Sequence, residues 1–467
     1  MERQTIILIT LITVATAVLA ARDYLQPFLP FGIGPSLPTQ NPLGGNPAGS
    51  WNILHHLGGN GPWIRKRTNV VDGGMLELYQ RLKHIDLEFQ GDISFVNAWN
   101  FFMSDPNRGM ENLVPTGPYA GTLGAFTTGV RLRTQYEDLL WDALNRSQTS
   151  LWASDSKRVV ETARYFAAGF YGLDWQDFAT LHVIPETPNL GADTLTPGDT
   201  CLKYYNNADD YGHDYGYRML KQFQWAYLPT VAKRLQFQNP NVTFSLPEIY
   251  TMQEICGFET LAKGSSPWCD VFTHDEWRHF EYARDLLHYY RSGAGNKYGA
   301  TMGWLWLNAT TSLLQAGPDA GPLFFSFVHD GDIVPFLAAL DLFPQHEHLP
   351  ATHIPSHRNW STSDVTPMGG RIILERLTRP VEPHCWTNAP FYPNHRYCAE
   401  MPDEVYIRIN VNDGIVAMPG CDDGPGRSCP LEKFTRWVQR RGTQLGDFRE
   451  LCGLHRDAPE RITFLHQ

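Results

Sequence analysis

Leu151-Trp152-Ala153-Ser154-Asp155-Ser156-Lys157-Arg158-Val159-Val160-Glu161-Thr162-Ala163 is the passage on which the fold turns. Leu151 to Ser154 reads as a short strand. Ser154, Asp155 or Ser156 can then cap a helix whose Val159, Val160, Ala163, Phe166 and Phe170 fall on its buried side, with Arg158 one turn in. A second run, Leu323 to Val328, is continuously apolar, as a strand buried on both faces is, and ends in His329-Asp330 with a helix starting near Asp332. His182-Val183-Ile184 reads as another strand. Val405, Ile407, Ile409 and Val411 alternate with polar neighbours, the pattern of a strand with one wetter face. Met75 to Ile85 and Gly121 to Leu140 carry helical spacing, and in the second Leu123, Phe126, Val130 and Tyr136 fall near one face. Strands interspersed with helices predict an α/β sheet.

A chain of 467 residues with 42% hydrophobic content can bury a large core, and its length favours two or more structural units. The formal net charge of -11 argues against nucleic acid as a partner. It leaves room for a phosphorylated one, because a pocket can be locally positive on an acidic protein. Residues 1–20 read as a secretory signal peptide: Arg3 precedes the apolar run Ile6 to Ala20, which is short for a membrane span of roughly 20 residues. Residues 21–50, rich in Pro and Gly, read as an extended arm. Residues 191–320 hold few strand-like runs and read as a mostly helical insertion between the two parts of an α/β domain, 51–190 and 321–467. Eight cysteines and Asn-x-Ser/Thr sites at Asn145, Asn241, Asn308 and Asn359 agree with secretion to the extracellular space or cell wall, N-linked glycans and no stable membrane association. No cysteine or histidine spacing suits zinc, so no metal is expected.

The segments Ser154–Ala163 and Phe324–Asp330 resemble two of the three active-site segments of the histidine acid phosphatases. That branch of the phosphoglycerate-mutase-like proteins includes fungal acid phosphatases and phytases. The resemblance implies a sheet domain with helices on both faces, an inserted helical domain, a small phosphorylated substrate, no cofactor and hydrolysis through a phosphohistidine. On it, Arg158 is a phosphate-clamping arginine, His329 a phosphate ligand and Asp330 the proton donor to the leaving group. The chemistry suits the residues. A planar guanidinium matches phosphate oxygens, and two ionisable residues ending a buried strand are costly unless they line a polar cleft. The resemblance also implies disulfides Cys421–Cys429, Cys256–Cys269 and Cys201–Cys452. Cys385 and Cys398 are left over; in the family one cysteine of this stretch pairs just upstream of the nucleophile strand, and this chain has none before Cys201.

The third family segment, Arg-His-Gly-x-Arg-x-Pro, carries the nucleophile, and no Arg-His-Gly occurs in the chain. His55-His56-Leu57-Gly58-Gly59-Asn60-Gly61-Pro62-Trp63 offers no arginine at the required place and no apolar run leads into it. It resembles the stretch that precedes the nucleophile strand in fungal members, so His56 is not read as a replacement. The resemblance breaks near Gly74/Met75 and resumes at Thr116–Gly121, as though one central strand, its loop and its cysteine were omitted. Such a loss removes hydrogen bonds worth ~1 kcal/mol each and buried side chains worth roughly 1.5–3 kcal/mol apiece. The sequence therefore predicts a phosphatase pocket with its acid and no nucleophile. A non-catalytic relative that binds phosphorylated ligands through Arg158 and His329 is the alternative. A glycosidase using Asp330 and Asp332 is disfavoured, since no second acid has a comparable strand-end setting.

Overall fold

The structure, a computed structural model, describes residues 2–7, 72–102, 121–146, 148–367, 369–386, 397–399 and 401–467. The arm 21–50, His55, His56 and most of the residues 1–20 read as a leader lie outside the described residues.

Three parallel strands form the layer that carries the site. In chain order they are β2 (Thr149–Ser154), β3 (Ala179–Ile184) and β4 (Phe325–Phe327), with β2 in the middle. A second sheet is antiparallel: β5 (Ile372–Arg379) pairs with β8 (Glu404–Val411), which continues to β9 (Gly414–Val416) and β10 (Cys429–Pro430). The other edge of β5 is taken by β1 (Glu2–Ile7), paired antiparallel from Glu2↔Thr378 to Ile7↔Leu374. This strand lies within the stretch read as a leader, so cleavage after residue 20 would remove it from the sheet. β6 (His384–Trp386) and β7 (Tyr397–Ala399) make a separate hairpin bridged by Cys385–Cys398. The two left-over cysteines thus bridge each other, and the three pairings implied by the resemblance are all present.

Helices cover the strands. α1 (Asp72–His84), α2 (Gly121–Gln135), α3 (Glu137–Arg146) and α4 (Lys157–Tyr171) come first. Between residues 188 and 320, α5 (Tyr215–Gln238), α6 (Leu246–Lys263), α7 (His274–Arg291) and α8 (Gly299–Ala316) follow, with no strand among the described residues. Capping boxes built on Ser245 with Glu248 and on Thr273 with Glu276 start α6 and α7. α9 (Asp330–Ala339) leaves β4 directly, with His329 at its N-cap position, two residues earlier than the sequence suggested.

The buried face of α2 differs from the expected one. Ala125, Gly129 and Leu132 are buried, whereas Leu123 and Val130 are 51% and 42% exposed. Small residues chose the face: α2 crosses α4 so closely that a Cβ on Gly129 would lie 2.2 Å from the Phe166 carbonyl oxygen, and one on Gly169 2.0 Å from that of Phe126. Hydrophobic spacing does not register a contact made by absent side chains. Gly169→Ala should gain ~1 kcal/mol by helix propensity. Overpacking, at about 1–3 kcal/mol, should outweigh it and lower the melting temperature. A raised melting temperature would mean that the crossing is looser than described.

The polar face of β8 is also drier than alternation suggests. Glu375 on β5, fully buried, accepts hydrogen bonds from Tyr136 Oη (3.1 Å) and Asn410 Nδ2 (2.7 Å) and pairs with Arg408. A polar network of protein partners covers that face.

Candidate active site

Adjacent parallel strands end at one edge, and each delivers a polar group there, as open α/β sheets do at their carboxyl ends. β2 leads through Ser154 to Arg158, the second residue of α4 and not a turn into it as the spacing suggested; it is 3% exposed. β3 leads to Glu186, whose side chain is 7% exposed. β4 leads to His329 and Asp330.

His329 is held from both sides. Arg158 Nη2 lies 2.9 Å from its Nδ1, and Glu186 Oε1 lies 2.7 Å from its Nε2. A guanidinium only donates, so Nδ1 accepts and Nε2 carries the proton that Glu186 receives. Ser154 Oγ stands 3.5 Å from the same Nε2. The His329 backbone N–H donates to Asp332 Oδ2 at 3.0 Å, which fixes the first turn of α9. Asp332 is therefore spent on the helix start.

Asp330, 8% exposed, accepts from the Gly331 N–H at 2.7 Å and faces His288 Nδ1 at 3.6 Å. Arg291, the last residue of α7, donates through Nε to His213 Nε2 at 3.2 Å. Its Nη2 lies 3.5 Å from where a Cβ on Gly331 would stand. α8 fixes the position of α9: a Cβ on Gly303 would come within 1.9 Å of the Pro335 carbonyl oxygen.

The electrostatics divide the carboxyls. Burial would raise Asp330, but His288, Arg291, His329 and the Gly331 N–H outweigh it and hold Asp330 below its usual range. His288 is itself pushed down to about 3 by burial. Glu186 goes to about 2: burial raises it, but His329, Ser154 and Arg158 win. Asp199, in the single helical turn Pro197–Thr200, and Asp332 move the other way, well above the usual range, through burial and the nearby charge of Glu186. A guanidinium, imidazole and serine donors and the N-terminus of a ten-residue helix make an edge suited to an anion. Among the described residues no group of three or more His, Cys, Asp or Glu side chains is arranged to hold a metal ion.

Arg158, His329 and Asp330, chosen from sequence, come together. Glu186, His288, Arg291 and Asp199 were missed. Glu186 follows a predicted strand by two residues, so the strand-end rule that selected Arg158 and His329 could have found it. Arg291 and His288 come from a helix remote in sequence, and no local signal marked them.

Known proteins resemble the chain over most of its length. The Histidine phosphatase superfamily (branch 2) matches residues 67–412. A phytase of Candida albicans is 30% identical over 89% of this chain and 90% of its own length. An acid phosphatase of Komagataella pastoris is 31% identical over the same shares. Among solved structures, the phytase from D. castellii superposes with a TM-score of 0.73 at 28% identity, covering 84% of this chain and 80% of that one. The chain belongs to branch 2 of the histidine phosphatase superfamily.

Proposed function

We propose that the strand-end cluster is the phosphate pocket of a secreted phosphomonoester hydrolase of the histidine acid phosphatase type. Arg158 and His329 hold the phosphoryl oxygens, and Asp330 protonates the leaving oxygen. The observation that carries this reading is the 2.9 Å contact between Arg158 and His329, which come from segments 171 residues apart in sequence. Asp330 is held unprotonated in the empty pocket. A bound phosphate would offset the charge of Arg291 and raise it, as a proton donor requires. The nucleophile is the missing part, so this chain binds phosphate without turning it over at a useful rate.

We place the missing strand on the edge of β5 opposite β8, which Glu2–Ile7 occupies in this structure and which a cleaved leader would vacate.

Millimolar phosphate or vanadate is expected to raise the melting temperature of the full chain. Arg158→Ala should abolish the shift while leaving the unliganded melting temperature within a few degrees. An unchanged shift in the variant would place phosphate elsewhere and reject the pocket.

A further inference from the structure

The carboxylate of Glu186 holds the Nε2–H of His329 at 2.7 Å and draws on Ser154 and Arg158 as well. These are the groups an incoming phosphate needs. We propose that Glu186 is the pocket's resident anion, and that a dianionic ligand enters together with one proton, which neutralises Glu186. This rests on the reading of Arg158 and His329 as the phosphate pocket.

Two alternatives to proton uptake are closed by the surroundings. Glu186 cannot withdraw into water at little cost, because its side chain is 7% exposed. Nor does turning towards Asp199 and Asp332 offer it a cation, since both are buried carboxyls. The groups facing it are Ser154 from β2, Arg158 from α4, Asp199 from the turn Pro197–Thr200, and His329 and Asp332 at the start of α9. Arg291 acts on the same two aspartates from α7. In the empty pocket, Arg158 and His329 keep Glu186 ionised down to about pH 2. A bound dianion cancels that attraction and adds repulsion of its own, so the proton that is unfavourable on Glu186 before binding becomes favourable after it. The balance is one dianion and one solvent proton bound, with no covalent change. The device favours binding in acid.

Sulfate is the suitable probe, because it stays a dianion where phosphate would titrate. Sulfate affinity of the full chain is expected to fall by up to about tenfold per pH unit between pH 4.5 and 7, the limit for one linked proton. In Glu186→Gln, which keeps an acceptor for His329 Nε2, that slope should flatten and sulfate should bind roughly tenfold or more tightly at pH 7. Weaker binding with the slope intact would overturn the proposal and leave Glu186 as a positioning residue for His329. If the variant does not fold, calorimetry on the unaltered chain in two buffers of different ionisation enthalpy decides: about one proton taken up per sulfate is expected, and none overturns it. Sulfate binding that is lost in Arg158→Ala but keeps its slope in Glu186→Gln rejects this inference alone. Binding indifferent to Arg158→Ala rejects the pocket itself.

Discussion

Inserting a strand followed by Arg-His-Gly-x-Arg-x-Pro between Gly74 and Met75 is expected to raise hydrolysis of a generic phosphomonoester at acidic pH by on the order of 10⁴-fold or more. On the proposed reading the chain supplies a clamp and an acid, and these alone leave the hardest demand unmet. Water must attack a phosphoryl group with no activated nucleophile to split the reaction into two easier steps. The inserted strand would compete with Glu2–Ile7 for the edge of β5 opposite β8, and cleavage of a leader after residue 20 would clear that edge for it. The control is the same insertion with alanine in place of its histidine, which should fold, show the phosphate-dependent melting shift and remain idle. An inserted chain that folds and binds phosphate but does not turn over would reject the proposed placement. Turnover by the unaltered chain, lost on Asp330→Ala, would reject the absence of a nucleophile.

How far the sequence led depends on what kind of contact made each feature. Runs such as Leu323–Val328 announce a buried strand because apolar side chains do the burying, and β4 lies within that run. The strand-end position of Arg158, His329 and Asp330 was legible for the same reason, since a polar residue closing an apolar run needs a cleft. The face of α2 was misread because a Gly129–Gly169 crossing is made by backbone, which hydrophobic spacing does not register. The wet face of β8 was misread because Glu375, Arg408, Asn410 and Tyr136 satisfy one another, and polarity in sequence does not reveal whether the partner is water or protein. His288 and Arg291 escaped because they enter the pocket from α7. Only the packing of α7 near α9 makes them neighbours of Asp330.

Stability should be greater in acid than at neutral pH, and the sign follows from the buried carboxyls. Asp199 and Asp332 lie well above the usual carboxylate range because they are buried near the charge of Glu186. Asp285 is pushed up to about 7 by burial, against the pull of Arg358. That guanidinium reaches Asp285 at 2.8 Å and Glu281 at 3.5 Å, and one cation cannot neutralise two buried carboxylates. Unfolded, each aspartate would release its proton near pH 4. From there up to its raised value the folded chain holds a proton that the unfolded chain has lost, so stability falls as pH rises through that window. Glu186 and Asp330, lowered in the folded state, act the other way but only below their ordinary values near pH 4 to 4.5. His288, pushed down to about 3, also opposes the trend, yet only below its ordinary value of 6.5. Between pH 4.5 and 6.5 these carboxyls, joined by Asp364, which burial also raises, thus stand against one imidazole, and above 6.5 the imidazole no longer contributes. The melting temperature is expected to drop by several degrees or more from pH 5 to pH 8, because a carboxyl such as Asp285, raised from the ordinary aspartate range to about 7, is worth on the order of a few kcal/mol. Asp285→Asn removes the titrating group while keeping one acceptor, for either Arg358 or the Thr362 N–H, and should flatten the part of the curve between pH 5 and 7. A melting temperature that climbs steadily from pH 5 to 8 would mean that these carboxyls are ionised in the folded chain and balanced by cations.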